Sequence, residues 1–143
     1  LLMASEDIVK AMEQEPSVRQ IRHMATLAQM SIVGIGGVDS NATLLTNGTL
    51  NHSDVLLLSM QGAVGDMLCH FIDKDGNVIQ SSLERRLMST SLEQLKEMNN
   101  SIGVAGGNTK AEAILAALKG KYLDVLITDE TTASNVLRLK NQE

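Results

Sequence analysis

Aromatic residues are nearly absent from this chain: it has no Trp, and Phe71 and Tyr122 are its single Phe and Tyr in 143 residues. Its core must rest on Leu, Ile, Val, Ala and Met, and the scarcity argues against a base-stacking platform for single-stranded nucleic acid. Cysteine is equally scarce. Cys69 by itself allows neither a disulfide framework nor a thiolate metal site, and a reducing cytoplasm fits. With 12 Lys plus Arg against 17 Asp plus Glu there is no basic stripe for duplex DNA, so any contact with DNA must come from another segment. No apolar run is long enough to cross a bilayer, and the N-terminus lacks a signal-peptide pattern. The chain opens on Leu1-Leu2 without an initiator Met, and the expectation is a fragment of something longer.

What is present suits one globular unit. Forty-three per cent of residues are apolar and 20% charged, ordinary for a soluble domain with one core. Ser5 before Glu6-Asp7 predicts a helix start, and that helix must stop before Pro16. Ser17 is the expected cap of a second helix with Val18, Ile21, Met24, Ala25 and Ala28 on one face. Ser31 to Ile35 reads as a buried parallel strand closed by Gly36-Gly37. The stretch from Asp39 to Asn51 reads as a long connection with one helical turn at Thr43 to Thr46, and Ser53 as the cap of a helix over Val55 to Gln61. Gly62 to Asp66 then leads into an extended segment, Met67 to Ile72, on which Asp66, Leu68 and His70 would share one side. Asp75-Gly76 predicts a tight hairpin to Asn77-Val78-Ile79. The carboxylates around it have the wrong glycine offset for a calcium loop. Leu87 to Thr90 is a candidate strand, Ser91 caps a helix to Met98, and Asp129 opens a last helix with Ala133, Val136 and Leu137 inward.

The chain is organised around Gly103 to Glu130. It reads as the end of a strand (Ile102 to Ala105), a Gly106-Gly107 turn, a helix from Lys110 to Lys119 and a strand from Leu123 to Thr128, a parallel crossover unit. Thr109 and Glu112 stand in capping-box relation, and Gly120 is placed to end the helix in the left-handed region. Strands and helices alternate throughout, so the expected class is α/β, a mostly parallel sheet with helices on both faces.

Lys110 is the unusual residue, since a cation in a first helical turn faces the positive end of the backbone dipole. A bound anion would turn this into a clamp, with Gly106-Gly107 letting the backbone approach; equally, the glycines make a tight turn and Lys110 bends into water. Asp66 behind a Gly-x-x-Gly corner could accept hydrogen bonds from ligand hydroxyls, or could cap its own turn. Together the two would suit a polyol carrying a phosphate. His23, His52 and His70 lack metal-ligand spacing, and His70 reads as a hydrogen-bonded structural imidazole. There is no phosphate-loop motif, and the Gly34/Gly36/Gly37 cluster is no dinucleotide fingerprint.

GAVGD with its DxDG hairpin (Gly62 to Gly76) and VAGGNTKAEAILAALKGKYLDVLITDETTA (Val104 to Ala133) resemble the effector-binding domain of the SorC family of bacterial transcriptional regulators. The opening LLMAS, EPSVRQI and IVGIGG are similar to it too. The resemblance spans essentially the whole chain. It implies a fold related to the sugar-phosphate isomerase and CoA-transferase superfamily, a phosphorylated sugar or sugar-like effector, no cofactor, and a homo-oligomer. It implies effector contacts at Asp66 and Lys110, with Leu68 lining the same pocket; Gly36, Gly65 and Gly107 extend these as backbone neighbours. The family's helix-turn-helix and the first half of its effector domain have no counterpart here, so residues 1–143 are expected to be the second half of that domain. Cys69-His70 replace the aromatic or glycine that often follows the GD motif. The resulting expectation is a ligand-sensing regulator domain; the rivals are a sugar-phosphate isomerase or deaminase-like enzyme of the same superfamily and an oligomerisation module.

Overall fold

A serine followed by two acids starts the first helix. In the computed structural model, which describes residues 1–39 and 42–142, the Ser5 hydroxyl accepts from the Ile8 N–H at the head of α1 (Glu6–Gln14). α2 (Pro16–Thr26) begins before the expected Ser17 cap, because Pro16 itself suits the first helical position: its φ is preset and its missing N–H is not needed there. Of the expected long connection, residues 40 and 41 lie outside the described residues. The single turn at Thr43–Thr46 forms (α3), and α4 (His52–Met60) is capped by Asn51, in a reciprocal box with Asp54, not by Ser53. α5 (Leu92–Glu97) carries the Ser91 cap, completed by Gln94.

The α/β class holds, with the strands divided between two small sheets. β1 (Ser31–Gly34), β5 (Ser101–Val104) and β6 (Val125–Ile127) run parallel in the order β1-β5-β6. β2 (Gly36–Gly37), β3 (Ala63–Met67) and β4 (His70–Asp73) run antiparallel in the order β2-β3-β4. The GAVGD stretch is thus a strand, not a lead-in. The strand expected over Met67 to Ile72 is broken at Leu68-Cys69, where φ angles of 54° and 69° make a two-residue hairpin turn. Positive φ at both central positions is the type I′ geometry, whose backbone twist matches that of the flanking strands. Asp66 therefore opposes Phe71, and Met67 opposes His70, so Asp66 and His70 do not share one strand face. The Asp75-Gly76 hairpin forms as read: Ile72 bridges Val78, and Asp73 Oδ1 accepts from the Asp75 and Asn77 N–H groups at 2.9 Å. The strand expected at Leu87 to Thr90 reduces to one bridge between Leu87 and Leu2.

In the central unit a 3-10 turn (Asn108–Lys110), closed by the Lys110 N–H on the Gly107 carbonyl at 3.0 Å, precedes α6 (Ala111–Lys119). Lys110 consequently takes the cap position, and the Thr109/Glu112 box does not form. Gly120 keeps a right-handed φ of −66°, and Lys121 adopts the left-handed one at 56°. Gly120 is required for another reason: the Tyr122 ring fills the space a Cβ would occupy.

The main core joins Met67, Ile72, Leu92, Leu95, Tyr122 and α6, which alone buries Ala111, Ala113, Ile114, Leu115, Ala116 and Ala117. Gly65 lets β3 lie directly on this helix, against Ala113 and within 2.8 Å of the Gly36 carbonyl for any added Cβ. α7 (Glu130–Lys140) packs beside α6 through Val136 and Thr132; Leu137, expected inward, is 59% exposed. α2 buries no residue. No helix of the described residues is long and apolar enough to cross a membrane.

Candidate functional site

The antiparallel ribbon carries the acidic group. Asp66 lies in β3 between β2 and β4, opposite Gly36 on one side and Phe71 on the other. Its Oδ2 accepts from the Cys69 N–H at 3.2 Å, so the carboxylate does cap the Leu68-Cys69 turn. Its Oδ1 occupies the place of a Cβ on Gly36, which makes glycine necessary there. Burial raises the Asp66 pKa, against opposing pulls from the Cys69 N–H and the charges of Lys110 and His70. A half-buried carboxylate with one oxygen engaged and its ionised form disfavoured is short of hydrogen-bond donors.

The crossover unit carries the basic group. Gly107 has φ 111° and ψ 143°, a conformation open essentially to glycine alone, and its carbonyl closes the turn that ends at Lys110. Lys110 is half-buried, and its charge reaches Asp66 without pairing with it; the ion pairs of the described residues lie elsewhere. Any Cβ on Gly37 would stand 3.7 Å from the Thr109 carbonyl, so the glycine strand β2 runs directly under the loop. Of the six predicted residues, Asp66, Gly36, Gly65, Gly107 and Lys110 therefore gather around one junction of β2, β3 and the head of α6. Leu68 is placed differently. It sits in the strained turn two residues beyond Asp66, its side chain packs on the main core, and its carbonyl accepts from Ser89 Oγ at 2.9 Å.

Thr132 is a residue that the sequence reading missed. It is fully buried; its hydroxyl accepts the Gly107 N–H at 2.8 Å and donates to Asp129 Oδ2 at 2.6 Å, while Asp129 Oδ1 accepts the Thr132 N–H at 2.8 Å. Asn135 Nδ2 adds a bond to Asn108 Oδ1 at 2.9 Å. The first turns of α7 thus clasp the loop that presents Lys110. The Asp129-x-x-Thr132 spacing signalled a helix cap, and nothing in it showed that the hydroxyl would reach across to Gly107. At the same end of the sheet the Thr128 hydroxyl is buried without a partner among the described residues.

His70 is structural, as read. Nδ1 lies 2.7 Å from Glu84 Oε1 and Nε2 2.8 Å from the Thr90 carbonyl. Burial lowers its pKa, but the Glu84 carboxylate and the Thr90 carbonyl outweigh that, and the net shift is upward. The Cys69 thiol is pushed up by burial and by Asp66, so it is no activated nucleophile. A cleft of about 500 Å³ lies elsewhere, between α2 and α5, with Met12, Ile21, Ala25, Met88 and Met98 in its lining; none of the predicted site residues lines it.

Residues 1–138 match the family described as "Putative sugar-binding domain". The chain is 39% identical over 142 residues to the transcriptional regulator LsrR of Klebsiella pneumoniae, covering 97% of this chain and 44% of that protein. It superposes on a transcriptional regulator from Streptococcus pneumoniae with TM-score 0.90 and 26% identity, covering 99% of this chain and 54% of the other. On the full-length sorbitol operon regulator SorC of Klebsiella pneumoniae the TM-score is 0.85 at 25% identity, covering 95% and 44%. The chain spans less than half the length of the curated relatives it matches. The two regulators share this chain's fold over nearly its whole length, and the chain belongs to the sugar-binding-domain family of SorC-type transcriptional regulators.

Proposed function

We propose that this chain is the second half of an effector-sensing domain that binds a phosphorylated sugar or sugar-like molecule and thereby controls the DNA binding of a larger, cytoplasmic, homo-oligomeric regulator. The observation that carries this reading is the convergence of a donor-starved carboxylate and an unpaired lysine on a floor of glycines. Asp66 takes ligand hydroxyls, Lys110 takes the phosphate, Gly36, Gly65 and Gly107 admit the ligand to the backbone, and Leu68 shapes the wall. Effector binding favours one arrangement of subunits, and DNA-binding segments outside this chain respond. We read the domain as a sensor and not an enzyme. The curated relatives are regulators by name.

Titration calorimetry with a panel of sugar phosphates tests this. Lys110→Ala removes a charge-assisted bond to phosphate, roughly 1.5–3 kcal/mol, so affinity falls about ten- to a hundredfold. Asp66→Asn weakens binding while raising the stability of the free protein at neutral pH. Because the folded Asp66 pKa lies above 3.8, the native state holds the proton more tightly than the unfolded chain, and stability falls as pH rises from about 3.8 through the folded value. The Asn variant loses that slope. Unchanged affinity in both variants would sink the sensing assignment.

A further inference from the structure

His70 stands between two groups that can only accept hydrogen bonds. Its side chain is 7% exposed, with Nδ1 at 2.7 Å from Glu84 Oε1 and Nε2 at 2.8 Å from the Thr90 carbonyl. A neutral imidazole has one N–H to give, and an ionised carboxylate and a carbonyl give none. With Glu84 ionised, both bonds therefore exist only while the ring carries two protons. Without the second, a ring lone pair faces an oxygen at a separation that suits only a hydrogen bond, in a place where water cannot compensate.

The charges around the ring favour that second proton. Glu84 reaches it from the 3-10 turn Glu84–Arg86, Glu93 from α5 and Asp66 from β3. Arg85, next to Glu84, is turned to Glu6 of α1 at 3.6 Å, and Lys110 at the head of α6 acts on Asp66. The residues that α6 buries are all apolar.

What the second proton holds is a strap, residues 88–90. It runs between the β3–β4 ribbon and the cleft of about 500 Å³, which all three of its residues line together with Leu1 and Arg22. From the ribbon side His70 holds the Thr90 carbonyl, and Ser89 Oγ donates to the Leu68 carbonyl at 2.9 Å. From the cleft side Leu1 exchanges two bonds of 2.7 Å with the Met88 backbone, and Arg22 Nη2 donates to the Ser89 carbonyl at 3.1 Å. Loss of the Nε2 proton makes one ribbon-side anchor repulsive and leaves the cleft-side anchors intact, and the cleft gives the strap room to withdraw. The bond from Ser89 to Leu68 goes with it. Leu68 and Cys69 hold φ angles of 54° and 69°, unusual for residues with side chains, so their turn depends on such support. The Cys69 N–H in that turn is the donor that fixes Asp66 Oδ2, at 3.2 Å.

We propose that His70 is a positioning residue for Asp66, a proton-operated latch that acts through Thr90, Ser89 and the Leu68-Cys69 turn to hold the carboxylate in its effector-binding pose. The net upward shift of the His70 pKa puts the release above pH 6.5. The proposal rests on the reading of Asp66 as an effector contact, and the first arm of its test uses no effector.

In the free protein, nitrogen-15 NMR follows the His70 ring, told apart from His23 and His52 by its loss in His70→Gln, while amide exchange reports the Cys69 N–H. The expected result is a ring protonated on both nitrogens at about pH 6 and a Cys69 protection factor that falls as the ring titrates. In His70→Gln the protection factor stays constant over that range. In the milder Ser89→Ala the ring titrates as in the parent while the Cys69 protection factor no longer follows it. The second arm is calorimetry with the sugar-phosphate panel. Between about pH 6 and about pH 8.5 the parent loses about two- to tenfold more affinity than either variant, the worth of one hydrogen bond. A His70 ring with one proton at about pH 6 overturns the proposal, as does a Cys69 amide indifferent to the ring's titration or an equal pH dependence of affinity in the parent and both variants. A panel without a bound member counts against the sensing assignment alone, and the first arm then decides the latch.

Discussion

α6 and α2 carry the same kind of apolar stripe and meet opposite fates. α6 buries six of its residues and lies against Gly65 closely enough that β3 can tolerate no side chain there. α2 buries none, and Ile21, Met24 and Leu27 stand 62–67% exposed. A 3.6-residue period says that a helix will form and which of its sides is apolar. Whether a partner waits on that side depends on the rest of the fold. The contrast extends to the parallel sheet, where the face beneath α6 is closed and the other is open.

The contrast can be broken by substitution, and the largest effect belongs to the enclosed side. His70→Ala leaves the Glu84 carboxylate and the Thr90 carbonyl without the imidazole between them. Breaking such a buried pair costs about 3–5 kcal/mol, read from urea unfolding; the 19% exposure of the Glu84 side chain favours the lower end. The same pair gives a pH signature. The folded His70 pKa lies above 6.5, so its contribution is complete below that value and is lost as pH rises through the folded pKa. A parent whose stability does not decline above pH 6.5 relative to His70→Ala contradicts the assignment.

Next comes the seam between β3 and α6. Gly65→Ala pushes a methyl into Ala113 and costs about 1–3 kcal/mol as overpacking. Adding Ala113→Gly to it should recover part of the loss, a coupling visible in a double-mutant cycle. Thr132→Val is smaller, about 1–2 kcal/mol for a buried hydrogen bond removed at constant shape. It should also weaken sugar-phosphate binding by loosening the loop before Lys110, while Thr132→Ser restores both. Full affinity in the Val variant would detach the clasp from the site. The smallest effect sharpens the open side: Ile21→Ser should stay within about 0.5 kcal/mol of the parent, as exposed substitutions do. A loss of 2 kcal/mol there would mean that α2 already packs on something.

Much of the local structure was readable in the residues. Ser5, Ser91 and Asp129 cap their helices because a side-chain oxygen two or three residues from an orphan N–H needs no distant partner. The Asp75-Gly76 hairpin is equally local. What the reading missed was set from far away. Leu68 and Cys69 carry no preference for positive φ, and the pairing of β3 with β4 imposes it on them. Lys110 and Asp66 were picked out by resemblance to a family motif, since spacing alone left each with a second reading. Asp66 caps its turn with one oxygen, while the other lies against Gly36. Thr132 looked like one more polar residue near a helix cap until α7 folded against the glycine loop.

By itself the sequence determined most of the helices, the caps at Ser5, Ser91 and Asp129, and the crossover around α6, since these follow from hydrogen bonds and side-chain periods spanning a few residues. Tertiary structure decided which apolar stripes find a partner, where glycine is compulsory and which charges meet. Those outcomes depend on close approach between segments that lie from about ten to seventy residues apart, such as β3 on α6 and β1 on β5, and on the burial that approach brings. No local pattern encodes a distance between two elements that meet only after the chain has closed.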